Sequence, residues 1–111
     1  MVKLQDILYK VHLKEVHGST SLIVTDIHID SRRVTKGSVF VAIKGEQTDG
    51  HKFFDKAIEL GATVIICEVL PKVFVSDITF IQVENTHEAV AYMAHNFYGE
   101  PSKKTKLVGV T

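Results

Sequence analysis

Apolar residues recur along the chain with two different periods, and the alternation between them predicts an α/β order. Leu4, Ile7, Leu8 and Val11 fall three or four apart, which places them on one face of a short first helix. After the polar turn Gly18-Ser19-Thr20-Ser21, Ile27 and Ile29 alternate against His28 and Asp30 within Ile23 to Ile29, so a half-buried strand is expected there. Thr35-Lys36-Gly37 is a turn, and Val39-Phe40-Val41-Ala42-Ile43 is apolar throughout, as in a strand covered on both faces. Lys44 to Gly50 reads as a loop. Phe53, Phe54, Ala57, Ile58 and Leu60 then form a helix face, with Gly61 where a left-handed cap belongs.

Thr63 to Cys67 and Thr79 to Val83 are further strands, separated by a loop that Pro71 marks. Asn85 stands as an N-cap with Glu88 at capping-box spacing, opening a helix through Val90, Met93, Ala94 and Phe97 that ends near Gly99 and Pro101. Lys106 to Val110 is a last strand. The order implies an α/β fold with a mixed sheet of about five strands and flanking helices. The polar Pro101-Ser102-Lys103-Lys104 stretch leaves two readings of the last strand open. It either begins a second domain or pairs back into the first sheet.

Composition narrows the function classes. A chain of 111 residues suits one domain, and 13 basic side chains against 13 acidic ones provide no basic stripe for nucleic acid or a membrane surface. Cys67 is the only cysteine, so no intrachain disulfide forms and a reducing compartment fits. The opening Met1-Val2-Lys3-Leu4-Gln5-Asp6 lacks the apolar core of a signal peptide, and no apolar run approaches the roughly 20 residues of a spanning helix. A soluble cytoplasmic protein is expected.

Two segments can carry binding chemistry. Asp30-Ser31-Arg32-Arg33 follows a strand at its carboxyl end, where α/β folds place ligands. A serine hydroxyl there can donate to a carbonyl or phosphate oxygen, and an arginine can fork onto an anion. The same four residues also suit a plain turn in which Asp30 accepts from the backbone and the arginines are solvated. Gly45-Glu46-Gln47-Thr48-Asp49-Gly50-His51 joins a buried strand to a helix, with glycines that either let backbone approach a ligand or only serve turn geometry. His87 and His95 are eight apart, no histidine pair has the spacing of a helical zinc site, and Cys67 reads as a small buried hydrophobe. The chain contains no Gly-x-x-Gly-Lys-Ser/Thr phosphate loop, so no catalytic machinery is visible in it.

An ordered set of segments resembles the start of the MurE family, the UDP-N-acetylmuramoyl-peptide ligases. The carriers are Asp30-Ser31-Arg32-Arg33-Val34, Lys36 to Gly45, and Asp49-Gly50-His51-Lys52-Phe53, then Ala57-Ile58 with Gly61-Ala62. Phe97-Tyr98-Gly99-Glu100-Pro101-Ser102 follows and leads into Leu107-Val108-Gly109-Val110-Thr111. MurF ligases share a similar Asp-Ser/Thr-Arg and Gly-Phe-Val-Ala pattern, and the Phe97 to Ser102 segment favours MurE; the rival from another class is a non-catalytic nucleotide-binding or interaction module with this α/β fold. The resemblance implies a cytoplasmic, monomeric, ATP-dependent ligase that adds the third amino acid, diaminopimelate or lysine, to UDP-MurNAc-L-Ala-D-Glu in peptidoglycan synthesis.

By the same resemblance, residues 1–98 are the uridine-nucleotide-binding domain and residues 99–111 are a linker and first strand of the central ATPase domain. ATP, Mg2+ and a carbamylated lysine then belong to that central domain, and the partners of this chain are the UDP-sugar peptide and the central and C-terminal domains. Carried over by motif position, Ile29 and Ser31 lie beside the uridine end of the substrate, and Glu46, Gln47 and Thr48 match a second contact stretch. Some members read His-Gln-Ala in that stretch, so Gln47 alone is shared. Glu46 and Thr48 are then left with backbone contacts, and Glu46 points to solvent, away from phosphate.

Overall fold

The computed structural model describes residues 2–43 and 50–98, with backbone alone for Gly50 and His51. Its chain order is β1 (Val2–Lys3), α1 (Leu4–Ile7), β2 (Leu13–His17), β3 (Ile23–Val24), β4 (Ile27–His28), β5 (Val39–Val41), α2 (Phe54–Glu59), β6 (Val64–Cys67), β7 (Thr79–Val83) and α3 (Thr86–Tyr98). Single 3-10 turns occupy Ser31–Arg33 and Gly50–Phe53. A five-stranded sheet in the order β2-β7-β6-β5-β4 forms the centre, beside a two-stranded β1-β3 pair. β4 through β7 run parallel, while β2 joins β7 antiparallel, so the sheet is mixed as the sequence implied.

Strand periodicity sorts the apolar side chains into two cores. Val39, Val41, Val64, Ile66, Ile81 and Val83 point to one face, where they meet Leu4, Ile7 and Leu8 around α1 and Ala89 and Met93 of α3. Phe40, Ala42, Ile65, Cys67 and Phe80 point to the other face, against Ala57 of α2 and Val34. Every residue of β6 is buried, which explains the continuous apolar run that the sequence shows there.

The N-terminus of α3 is set by Asn85, whose Oδ1 accepts the Glu88 backbone N–H at 3.0 Å. A second tether comes from Glu68, just beyond β6. Its Oε2 accepts the Thr86 backbone N–H at 2.9 Å and the Thr86 hydroxyl at 3.0 Å. Glu68 thereby joins the end of β6 to the start of α3. At the far end of α3, Asn96 donates from Nδ2 to the carbonyls of Ile7 at 2.8 Å and Tyr9 at 2.7 Å. Those carbonyls lie in and just past the last turn of α1, where the helix itself leaves acceptors unpaired.

Two expectations need correction. Ile23 to Ile29 is not one strand. It breaks at Thr25-Asp26, where the Thr25 N–H donates to Gly37 and the Asp26 carbonyl accepts from Val39, so β3 and β4 serve different sheets. Ile29 is accordingly 58% exposed, while Ile27 is buried. The other correction concerns the sheet's outer strand, β2, which the apolar pattern did not mark because Leu13 to Val16 are all exposed. Backbone pairing with β7, not burial, makes it a strand. The five strands are therefore completed by β2, and Lys106 to Val110 lies outside the described residues.

Candidate functional site

Because β4 to β7 are parallel, their carboxyl ends share one edge of the sheet. Ile29 to Arg33 leaves that edge from β4. The segment that begins after Ile43 leaves it from β5, the neighbouring strand. The strands that precede the two candidate stretches are thus neighbours in the sheet. Glu46, Gln47 and Thr48 themselves lie outside the described residues.

Asp30 organises the Ser31–Arg33 turn. Its Oδ1 accepts the Arg32 backbone N–H at 2.9 Å, which caps the turn. The Arg32 guanidinium forks back onto the same carboxylate, with Nε 3.1 Å from Oδ1 and Nη2 2.9 Å from Oδ2. The plain-turn reading therefore holds for Asp30 and for Arg32, whose side chain is 83% exposed. Arg32 already faces a carboxylate, so an anionic ligand would have to compete for it. Arg33 is exposed.

Ser31 is different. It is only 7% exposed, at the foot of the turn, and its carbonyl accepts the Val34 N–H at 3.4 Å. Val34 is buried in the second core and holds the turn down against the sheet. A largely buried serine two residues from an exposed isoleucine offers a hydroxyl and an apolar surface that suit a flat polar ring. Of the residues named from sequence, the structure brings Ile29 and Ser31 together at one strand end.

The Asp30 fork sets a pH test. The Arg32 side-chain hydrogen bond, then the Arg32 backbone N–H, lower the Asp30 carboxyl from 3.8 to about 2. A depressed carboxylate contributes stability above its ordinary pKa and loses it as pH falls through the folded value. The fork is therefore expected to persist through pH 4 and open near pH 2. NMR titration of the Asp30 carboxyl carbon checks this. Arg32→Ala should move the midpoint upward but short of 3.8, because the backbone donor remains. A wild-type midpoint near 4 would contradict the fork.

Cys67 is buried, and burial pushes its thiol up to about 12, so it stays protonated and unreactive. Among the described residues no group of three His, Cys, Asp or Glu side chains could hold a metal ion, and no helix is long and apolar enough to cross a membrane. Sequence reading also missed a cluster at the amino side of β4. There the Tyr98 hydroxyl donates to Asp26 Oδ1 at 2.6 Å, and His28 Nε2 lies 3.5 Å from Asp26 Oδ2.

The chain is 48% identical over 111 residues to the UDP-N-acetylmuramoyl-L-alanyl-D-glutamate--2,6-diaminopimelate ligase of Cytophaga hutchinsonii, covering 99% of the chain and 23% of that protein. It is 43% identical over 110 residues to the ligase of the same name from Phocaeicola vulgatus, again covering 99% and 23%. The chain thus spans about a quarter of the length of these relatives. Among solved structures, the MurF ligase of Thermotoga maritima in complex with ADP is similar at a TM-score of 0.58 and 34% identity, over 68% of this chain and 17% of that one. An Acinetobacter baumannii MurF matches at a TM-score of 0.68 over 86% of this chain and 20% of that one; at 23% identity it shows the shared fold. Residues 23–98 match the Mur ligase family, catalytic domain, so the chain belongs to the Mur ligase family.

Proposed function

We propose that this chain is the uridine-nucleotide-binding domain of an ATP-dependent ligase that adds diaminopimelate to UDP-MurNAc-L-Ala-D-Glu in the cytoplasm, acting as a monomer. The observation that carries this reading is the pairing of buried Ser31 with exposed Ile29 at the carboxyl end of β4. It is supported by relatives named as diaminopimelate ligases that align with 99% of the chain. MurF ligation is the second reading, favoured by the fold neighbours.

In this reading Ile29 packs on the uracil ring and the Ser31 hydroxyl donates to an oxygen of the uridine end. The loop through Glu46, Gln47 and Thr48 supplies the opposing contacts, with the Gln47 amide reading the heterocycle edge. Residues 1–98 then form the binding domain, and residues 99–111 lead into the ATPase domain. ATP and Mg2+ would activate the substrate carboxylate as an acyl phosphate in that domain. This chain's own task is to hold the nucleotide end still, so that the distant carboxylate is presented in one position.

Ser31→Ala in the parent ligase tests the site. Losing one neutral hydrogen bond costs about 0.5–1.5 kcal/mol, so KM for the UDP-sugar peptide should rise roughly twofold to tenfold. Turnover should hold, because the contact is equally present in ground and transition states. An unchanged KM in a folded variant removes Ser31 from the site. Absence of any ATP-dependent ligation by the wild-type parent removes the ligase reading itself.

A further inference from the structure

The last turn of α3 is held at two points by side chains close in sequence that reach partners far away in the chain. Asn96 ties it to α1 through the Ile7 and Tyr9 carbonyls. Tyr98, the final residue of the helix, ties it to Asp26 through a 2.6 Å hydrogen bond. Helix ends ordinarily fray, so two tethers in the final turn are more than packing of Met93 and Ala89 requires.

The Asp26 end of the second tether is rigid. The Asp26 carbonyl accepts Val39 N–H at 2.9 Å, and Thr25 is fixed on both its groups, N–H to Gly37 at 3.1 Å and hydroxyl to the Lys36 carbonyl at 3.1 Å. The Asp26 carboxylate is itself oriented, since Oδ1 also accepts the Ile27 N–H at 2.8 Å. Its second oxygen faces His28 Nε2 at 3.5 Å, a buried nitrogen with no hydrogen-bond partner among the described residues. The Tyr98 bond holds the Asp26 carboxyl below its ordinary value, while burial first and then this same bond push the Tyr98 hydroxyl up to about 12.

Tyr98 is 62% exposed, so its ring contributes little to the core. What the hydroxyl fixes is the end of α3 against Asp26. We propose that Asp26 and Tyr98 form a latch that fixes the end of α3 and thereby positions the domain that follows against the uridine-binding sheet. The proposal rests on the reading above that a further domain follows. Tyr98 is in this sense a positioning residue, since Ser31 and Ile29 lie past the carboxyl end of β4 and Asp26 lies before its start.

The test uses the full-length parent, with spin labels on α2 at Lys56, an exposed position, and on the following domain. Tyr98→Phe keeps the ring and deletes only the donor. The distance distribution should broaden about twofold, and turnover should fall roughly threefold to tenfold, the scale of one hydrogen bond to a partly exposed charge. KM for the uridine substrate should stay within about twofold. Asp26→Ala should match Tyr98→Phe, and the double variant should add nothing, as expected for partners in one interaction. Asp26→Asn, which keeps an acceptor at Oδ1, should retain most of the wild-type behaviour. An unchanged distribution and turnover in Tyr98→Phe overturns the latch. So does a double variant whose effects simply add. A parent that shows no ligation but broadens with Tyr98→Phe would fail the ligase reading and support the latch.

Discussion

Phe80→Ala is expected to cost this domain about 3–5 kcal/mol, the usual range for emptying a buried aromatic site. Phe80 is 1% exposed on β7, the strand that joins the parallel part of the sheet to its antiparallel edge. Its ring meets Phe54 of α2 edge-on at 6.0 Å and Phe74 of the β6–β7 connection at 5.5 Å. The connection carries no helix between β6 and β7, so Phe74 against Phe80 is how it covers this face of the sheet. Phe74 in turn stacks on His17 of β2 at 4.2 Å. Alanine would therefore open a cavity and also release the loop and the edge strand that rest on it. With total stability of about 5–15 kcal/mol for a domain, that loss is a large fraction. Urea unfolding should show the midpoint falling by roughly 2 M with the slope kept, given slopes of about 1–3 kcal/mol/M. Phe80→Leu should lose less than half as much. A shift worth under about 1 kcal/mol for alanine would mean that the three rings do not share one packed core.

The core strands were legible because they are buried on both faces, which writes continuous apolar runs into the sequence. Val39 to Ala42 and Val64 to Cys67 are the cases, and every one of these residues is buried. The Asn85 cap and the Gly61 terminus were legible because their chemistry is local. Elements made by pairing alone were not. β2 exposes Leu13, Lys14, Glu15 and Val16, so no period in its own residues distinguishes it from a loop. The break at Thr25-Asp26 was hidden for a related reason. The Thr25 N–H donating to Gly37 and the Val39 N–H donating to Asp26 cause it, and those partners are about a dozen residues away. For the site, position at a strand end drew attention to Asp30 through Arg33 and the family resemblance added Ile29, while the choice for Arg32 between an anion fork and a plain turn stayed open until the structure showed it engaged by Asp30. The Glu68–Thr86 and Asp26–Tyr98 contacts span 18 and 72 residues, and single side chains at such separations leave no trace in a one-dimensional pattern.

Gly61→Ala is expected to destabilise by about 2–4 kcal/mol, although it adds only one methyl group. Gly61 ends α2 with φ at +116°, a region in which an L side chain is strained before any neighbour is considered. The neighbour makes it worse. A Cβ there would stand 2.6 Å from Lys36 Cα and 3.0 Å from Lys36 N, both backbone atoms of the turn that leads into β5. That turn cannot simply move aside. The Gly37 N–H donates to the Gly61 carbonyl at 2.8 Å, and the Gly37 carbonyl accepts from Thr25 at 3.1 Å. The Ser38 hydroxyl closes the same turn by donating to the Thr35 carbonyl at 2.7 Å. Relief therefore has to come either from breaking the Gly37–Gly61 bond or from shifting α2. α2 packs on the same core as Val34, at the end of the Ser31 turn, so a shift would propagate to the candidate site. The consequence is a paired readout. Thermal unfolding of Gly61→Ala should fall by about 8–32 °C, taking roughly 4–8 °C per kcal/mol for a domain near this size. Below the transition, uridine-nucleotide affinity should also weaken if α2 has moved, and should hold if only the turn has opened. An alanine variant within a degree or two of wild type would show that Gly61 and Lys36 do not meet as closely as the fold places them.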